Sequence, residues 1–210
     1  MVRQKADETL FLSPNYFFET MKKWILTLMI AAGISNAQAQ TNANGMPLLD
    51  KSPMDMCYFP DNYPVLKIQN KATEPLVARV VYSRPQKNNR TIFGDLVKYN
   101  EVWRLGANEA TEIEFFKEVK IGGKKIPKGR YTLYAIPDSS EWTVIVNKDT
   151  DTWGAFKYDE KKDVVRVKVP VQKLPQPVEA YTMDFIKSPN GANLEISWDD
   201  VTASLPIALK

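Results

Sequence analysis

The stretch TEIEFFKEVKIGGKKIPKGRYTLYAIPDSSEWTVIVN, residues 111–147, decides the fold. Near its start, Ile113 and Phe115 alternate with two glutamates, the period of two that is typical of a half-buried strand. Gly122-Gly123 then separates two short apolar runs. This pair favours a two-residue hairpin turn, because the centre of such a turn needs positive φ. The stretch therefore predicts consecutive antiparallel strands joined by tight turns.

Similar patterns continue in both directions from this stretch, with turn residues about every 8–12 positions. We predict strands at residues 76–82, 111–115, 119–126 (a hairpin), 130–136, 142–147, 164–169, 181–186, 194–199 and 201–209, and a short helix or turn at 92–99. The pattern predicts an all-β fold, a single antiparallel β-sandwich that is jelly-roll-like or barrel-like, over residues 52–210. That length is enough for a core without disulfide or metal support.

Upstream of this domain, residues 21–39 have the three-part layout of a secretory signal peptide. Met21-Lys22-Lys23 is basic, residues 24–34 (WILTLMIAAGI) are apolar, and Ala37 and Ala39 occupy the small positions of an A-x-A cleavage site. The apolar run has 11 residues, whereas a membrane-spanning helix needs roughly 20. We therefore predict an N-terminal signal helix cleaved after Ala39. The protein is then exported to the periplasm or the extracellular space, with no membrane span after cleavage.

The segments on either side of the signal peptide have different compositions. Residues 1–20 carry three acidic residues ahead of the basic pair, which does not fit a signal peptide. We predict that translation starts at Met21, with a disordered leader as the alternative. Residues 40–51 (QTNANGMPLLDK) are polar, contain Asn, Gly and Pro, and are predicted to be a flexible linker.

The overall composition excludes several classes of function. The chain has 28 Lys and Arg, 25 Asp and Glu, one Cys and no His. Without His there is no Ser-His-Asp or Cys-His catalysis and no His-ligated zinc, and one Cys makes neither an internal disulfide nor a Cys-rich metal cluster. A net charge of +3 is not the basic footprint of a nucleic-acid-binding protein. We expect no metal, cofactor or nucleic acid, and we interpret Cys57 as a small apolar packing residue.

Residues 82–111 form a long connection between two predicted strands, and long ordered loops in compact domains are often functional. Arginine forks hold carboxylate, sulfate or phosphate with paired hydrogen bonds, and Trp and Tyr rings offer flat faces for stacking on a sugar. We therefore predict non-catalytic binding of a glycan or small anionic ligand in the cell envelope. The candidate residues are guanidinium groups, aromatic rings and polar side chains of this loop and a later one: Arg84, Arg90, Trp103, Arg104, Asn108, Glu109, Trp153 and Tyr158. Arg84 and Arg104 would supply charged donors, Asn108 would orient the ligand, and the tryptophans would stack.

Other interpretations of the same residues remain open. Arg104 and Glu109 can pair with one another, and Trp103 can be a core residue. The protein can instead have a structural or assembly role, binding a protein partner in the envelope. A carboxylate-based hydrolase, such as a glycoside hydrolase, needs only two carboxyl groups. Glu109, Glu112 and Glu114 are its candidates, although any solvated strand face gives the same spacing of the last two.

Several motifs stand out along the domain: YSRP at 82–85, IFGDLV at 92–97, VWRLGANEAT at 102–111, GRYTL at 129–133, WTVI at 142–145, NK at 147–148, and WGA at 153–155 with the residues through Tyr158. Together they resemble the bacterial domain-of-unknown-function family numbered 2911, from about residue 52 to the C-terminus. The resemblance implies an exported, single-domain β protein with no established activity. It implies no catalytic residues.

Overall fold

The computed structural model of the protein describes residues 44–209. All the helices and strands named below lie in one compact unit, Leu49–Lys210. The predicted leader, the predicted signal helix and the first residues of the predicted linker lie outside the described residues. Residues 44–51 of the linker belong to none of the named strands or helices.

The regular structure of the described residues is almost entirely β, with nine strands, and the all-β prediction is confirmed. The strands are β1 (Met54–Phe59), β2 (Ala78–Ser83), β3 (Glu112–Phe115), β4 (Val119–Ile121), β5 (Lys124–Ile126), β6 (Gly129–Pro137), β7 (Glu141–Asn147), β8 (Asp163–Ser188) and β9 (Gly191–Ala208). A short helix α1 (Tyr63–Ile68) follows β1, and a 3₁₀ turn (Glu160–Lys162) precedes β8.

The strands form one antiparallel sheet in the order β1-β2-β3-β6-β7-β8-β9-β4-β5. The long strand β8 joins the two halves of this sheet. Its residues 163–170 pair with β7, and its residues 171–188 pair with β9. Most neighbours in the sheet are therefore also neighbours in sequence, and only the β4–β5 hairpin is carried to the far edge, beside β9.

The two halves of the sheet face each other. The Phe59 ring of β1 lies 6.0 Å from the Phe185 ring of β8, measured between centroids. The hydroxyl of Tyr82 in β2 donates a 3.0 Å hydrogen bond to the Met183 carbonyl of β8. These contacts join the first half of the sheet to the second, so the architecture is a β-sandwich-like one with its core between the halves.

Alternation along the strands builds this core. In β3, Ile113 and Phe115 are fully buried while the two glutamates are only half-buried. In β9, buried residues recur at every second position from Ala192 to Trp198. Burying a large apolar side chain contributes about 1.5–3 kcal/mol, so this regular pattern determines which face of each strand turns inward.

For both β8 and β9, the sequence predicted two strands where the structure has one. The strands predicted at 164–169 and 181–186 are both parts of β8, and those predicted at 194–199 and 201–209 are both parts of β9. Prolines between the first two segments indicated a break, but β8 continues through register shifts between Lys173 and Thr182. In β9, Asp199 takes a positive φ of 53°, and pairing resumes beyond it.

The first elements of the domain were not predicted from the sequence. Strand β1 lacks a clear alternation of apolar and polar residues, and α1 has only six residues. The segment predicted as a short helix or turn, residues 92–99, is a turn, closed by a bridge between Phe93 and Val97.

Candidate functional site

Residues 84–111 connect β2 to β3 by the long irregular path that the sequence predicted. Single bridges attach this loop to the rest of the domain: Gln86 to Ala180 in β8, Trp103 to Ala135 in β6, and Glu109 to Trp153. Because Ala180 lies in the second half of the sheet and Ala135 in the first, the loop is attached to both halves. The loop is therefore a fixed part of the molecule.

A tight turn within the loop determines where Arg104 lies. The backbone amide of Thr111 donates a 3.1 Å hydrogen bond to the Arg104 carbonyl, and the Thr111 hydroxyl donates to the Leu105 carbonyl. Leu105 has a left-handed φ of 54°, which costs an ordinary residue roughly 1–2 kcal/mol, and its side chain is fully buried. A Cβ on Gly106 would lie 3.1 Å from the Ser83 carbonyl oxygen, so glycine allows the turn to pack against the end of β2.

Trp103 belongs to a cluster of buried aromatic rings. Its indole is stacked on that of Trp198, with centroids 6.2 Å apart and planes 16° apart. Its edge contacts include Trp142 at 5.8 Å and Tyr181 at 5.3 Å. Its N–H donates to the Gly106 carbonyl at 3.3 Å. With 8% of its surface exposed, Trp103 is a core residue that offers a ligand only a small part of its surface.

Arg104 carries an unbalanced charge. Its side chain is partly buried, and its Nε atom is buried without a hydrogen-bond partner. Within residues 44–209 its guanidinium forms no ion pair or hydrogen bond. The pairing with Glu109 considered from the sequence is not formed. Burial lowers the pKa of Arg104 below its usual value, because the charged form loses solvation that no carboxylate replaces.

Arg90 lies close to Arg104 and is exposed. Its Nε donates a 2.9 Å hydrogen bond to the Lys87 carbonyl, and one terminal nitrogen, Nη2, donates to the Gln86 carbonyl. These bonds hold the plane of the guanidinium. The other terminal nitrogen has no partner among the described residues, so Arg90 retains donors for a ligand.

A cavity of about 200 Å³ brings these two arginines together. We name it the Arg104 pocket, and the side chains that characterise it are two guanidinium groups and four apolar residues: Arg90, Arg104, Leu96, Val97, Trp103 and Trp198. No Asp or Glu is among the described residues that line it. Three of the eight candidate residues from the sequence thus meet in one positively charged cavity.

Arg84 lies elsewhere, and each of its three side-chain nitrogens has a hydrogen-bond partner. It donates to Asp55 at 2.9 Å, to the Tyr181 carbonyl at 3.1 Å and to the Thr182 hydroxyl at 2.9 Å. It lines a larger cavity, of about 500 Å³, beside β1 and α1. Through these bonds Arg84 joins β1 to β8, and the structure does not bring it into the Arg104 pocket.

Cys57 lines the same larger cavity. Burial, together with the negative charges of Asp184 and Asp55, raises the pKa of its thiol to about 12. The thiol is therefore protonated at neutral pH and unreactive. This agrees with the interpretation of Cys57 as a packing residue.

The remaining four candidates gather around residues 152–158, and none of them lines the Arg104 pocket. The Asn108 carbonyl accepts a 2.9 Å bond from Gly154, and Glu109 bridges Trp153, which is 62% exposed. Tyr158 donates to Asp163 at 2.6 Å and accepts from Arg166 at 2.7 Å. Burial, followed by the bond to Asp163, raises the Tyr158 pKa.

Of the six side chains that characterise the Arg104 pocket, the sequence missed three. Trp198 comes from β9, and its alternating neighbours indicated only that it faces the core. Leu96 and Val97 lie in a motif that was noted, but their apolar side chains gave no signal of a ligand. A cavity built from distant segments has no linear pattern by which a single sequence would reveal it.

Two of the three carboxylates considered for hydrolysis, Glu112 and Glu114, form ion pairs. Glu114 pairs with Arg79 at 2.6 Å, and Glu112 lies 3.5 Å from Arg130. Such cross-strand ion pairs are typical of the polar face of a strand, which is where Glu112 and Glu114 lie. Among residues 44–209, no cluster of three or more Cys, Asp and Glu side chains is placed to hold a metal ion. The same part of the chain contains no helix with the length and hydropathy required to cross a membrane.

Comparison with known families gives one match. The model of the family described as "Protein of unknown function (DUF2911)" matches residues 65–207. The chain belongs to this family. The DUF2911 match includes the whole loop from 84 to 111 and reaches Trp198 of β9, and it begins after β1. No curated protein and no solved structure matches this DUF2911 chain.

Proposed function

We propose that this protein is an exported, non-catalytic binding protein for a small anion, with the Arg104 pocket as its site. One observation carries the proposal: the Arg104 guanidinium is partly buried in a cavity, with a second arginine beside it and no carboxylate among the described lining residues. A buried charge normally has a partner, because desolvation without one costs several kcal/mol. An anion supplied by a ligand would be that partner.

The size of the cavity favours a small ligand over a glycan. Pockets for drug-sized molecules measure about 300–1,000 Å³, and the Arg104 pocket measures about 200 Å³. The stacked indoles of Trp103 and Trp198 also cover one another, which removes a face on which a sugar ring would stack. Of the two ligand classes considered from the sequence, the small anion is the better match.

A binding experiment with one substitution tests this function. The midpoint of thermal unfolding is measured with acetate, benzoate, sulfate and phosphate, each against chloride at equal ionic strength. A ligand that binds only the folded state stabilises it by about 2.7 kcal/mol at one hundred times its Kd. We expect at least one of these anions to raise the midpoint of the natural protein and to lose that effect in Arg104→Gln.

Arg130→Gln is the matched control, because Arg130 is an exposed arginine paired with Asp151 and lies outside the pocket. It should respond to the anions as the natural protein does. If none of the four anions raises the midpoint, or if Arg104→Gln retains the full response, the proposed function is wrong. The structural or protein-binding role would then be the better hypothesis.

A further inference from the structure

The walls of the Arg104 pocket differ sharply in chemistry from its charged end. Leu96, Val97, Trp103 and Trp198 supply its large apolar side chains, and Ser52 is the one described lining residue with a side-chain hydroxyl. Both indole N–H groups are already used, since Trp103 donates to the Gly106 carbonyl at 3.3 Å and Trp198 to the Glu179 carbonyl at 3.1 Å. The tryptophans therefore offer a ligand no hydrogen-bond donors.

This division limits which anion the pocket suits. Sulfate and phosphate carry oxygens on every side, so an oxygen turned toward the apolar walls would lose its hydration without a replacement donor. A carboxylate has its two oxygens at one end, where a guanidinium fork binds them in parallel. The rest of such a molecule is free to contact carbon.

From this geometry, and resting on the proposed function, we infer that the ligand is a small organic acid. Its carboxylate would lie against Arg104, with Arg90 at the opening, and its short apolar substituent would lie against Leu96 and Val97. The small cavity volume restricts the substituent to a few carbons or one ring. Leu96, with 47% of its surface exposed, would cover the substituent from the solvent side.

A homologous series of acids tests the inference. The dissociation constants of acetate, propionate, butyrate and benzoate are compared with those of sulfate and phosphate by calorimetric titration. Each methylene buried against the walls should strengthen binding about fourfold. We expect butyrate to bind about tenfold or more tightly than acetate, and both inorganic anions to bind more weakly than butyrate.

A substitution in the apolar wall distinguishes the contribution of the ligand's substituent to binding from that of its carboxylate. In Leu96→Gln we expect the advantage of butyrate over acetate, which is the ratio of their two dissociation constants, to fall by about threefold or more. Leu49→Gln is the control, since Leu49 is an exposed leucine outside the pocket, and it should leave the whole series unaltered.

The possible failures are distinct. If sulfate or phosphate binds in an Arg104-dependent way and butyrate gains nothing over acetate, the organic acid is wrong and the anion-binding function stands. If the advantage of butyrate survives Leu96→Gln in full, the substituent does not lie on this wall and the inference is overturned. If no anion binds, the function and the inference fail together.

Discussion

Arg84 begins the loop between β2 and β3 and Arg104 lies in its second half, and the two charges have opposite surroundings. Arg84 donates to a carboxylate, a carbonyl and a hydroxyl. Arg104 has a buried donor with no partner. A satisfied guanidinium stabilises the fold, whereas an unsatisfied one is retained at a cost, which is a common property of binding sites.

Replacing each arginine by methionine should reveal this difference. Arg104→Met removes an unpaired charge and keeps a long side chain, so we expect the free energy of unfolding in chloride buffer to rise by about 1 kcal/mol. Arg84→Met removes the ion-pair partner of Asp55 and a hydrogen bond to the Tyr181 carbonyl, so we expect a fall of about 1–2 kcal/mol. Urea unfolding measures both. Equal losses in the two variants would contradict the argument.

Cys57 gives a prediction for alkaline pH. Its pKa is raised from the ordinary 9.0 to about 12 in the folded protein, so the unfolded chain releases the proton first. The stability contributed by the buried thiol is complete below about pH 9 and is lost as the pH rises toward 12.

We therefore expect Cys57→Ala, which cannot ionise, to be less stable than the natural protein near pH 8 and to close that gap at about pH 10.5. Urea unfolding at the two pH values checks this, and lysine titration cancels because both proteins share it. A gap that stays constant would show that the thiol does not ionise differently in the two states.

At the scale of elements, the β4–β5 hairpin follows directly from local sequence. Gly122 and Gly123 have φ of 56° and 78°, the positive values that the two-residue turn requires. Strands β3, β6 and β7 were predicted equally well: β3 alternates over its whole length, and β6 and β7 are short runs rich in β-branched and aromatic residues that end at turn residues. Strand β8 was not predicted as one strand, because its prolines indicated a break. The strand tolerates them near register shifts in its pairing with β9, and that pairing cannot be read from the local sequence.

The two turn glycines should differ in their tolerance of alanine. A Cβ on Gly123 meets nothing within 4 Å, whereas one on Gly122 would lie 2.7 Å from Cγ2 of Val167. We expect Gly123→Ala to cost about 1 kcal/mol for its backbone alone, and Gly122→Ala to cost about 1 kcal/mol more because Val167 must move. Thermal unfolding of the pair measures the difference. Equal costs would mean that Val167 adjusts freely.

At the scale of the whole molecule, β8 belongs to both halves of the sheet, so neither half can separate while β8 stays intact. The class of the fold could be predicted because antiparallel neighbours are mostly close in sequence. The Arg104 pocket could be predicted only in part, through the arginines and Trp103 of one loop. Its other wall comes from β9, and which strand covers which loop is decided by packing over long distances in the chain.

Export is the whole-molecule property for which we propose a direct test. Expressed from Met21, the protein should be recovered from the periplasm or the medium with Gln40 as its first residue, which intact-mass spectrometry determines. The control is Ala39→Phe, whose bulky side chain should block cleavage and leave the longer precursor. A natural protein that retains Met21 would contradict the predicted signal peptide.

The stacking of Trp103 on Trp198 also gives the molecule an optical signature. Indoles at 6.2 Å couple their electronic transitions, so the circular dichroism spectrum should contain a paired positive and negative band. The band should change when Trp198 is replaced and weaken further when Trp103 is replaced, because Trp103 also lies 5.8 Å from Trp142. Because Trp103 borders the Arg104 pocket, a bound acid would perturb this band. Among the described tryptophans, Trp153 alone is well exposed, so iodide should quench its fluorescence selectively. The fluorescence that remains then comes from the buried tryptophans, and a change in it would report that the Arg104 pocket is occupied.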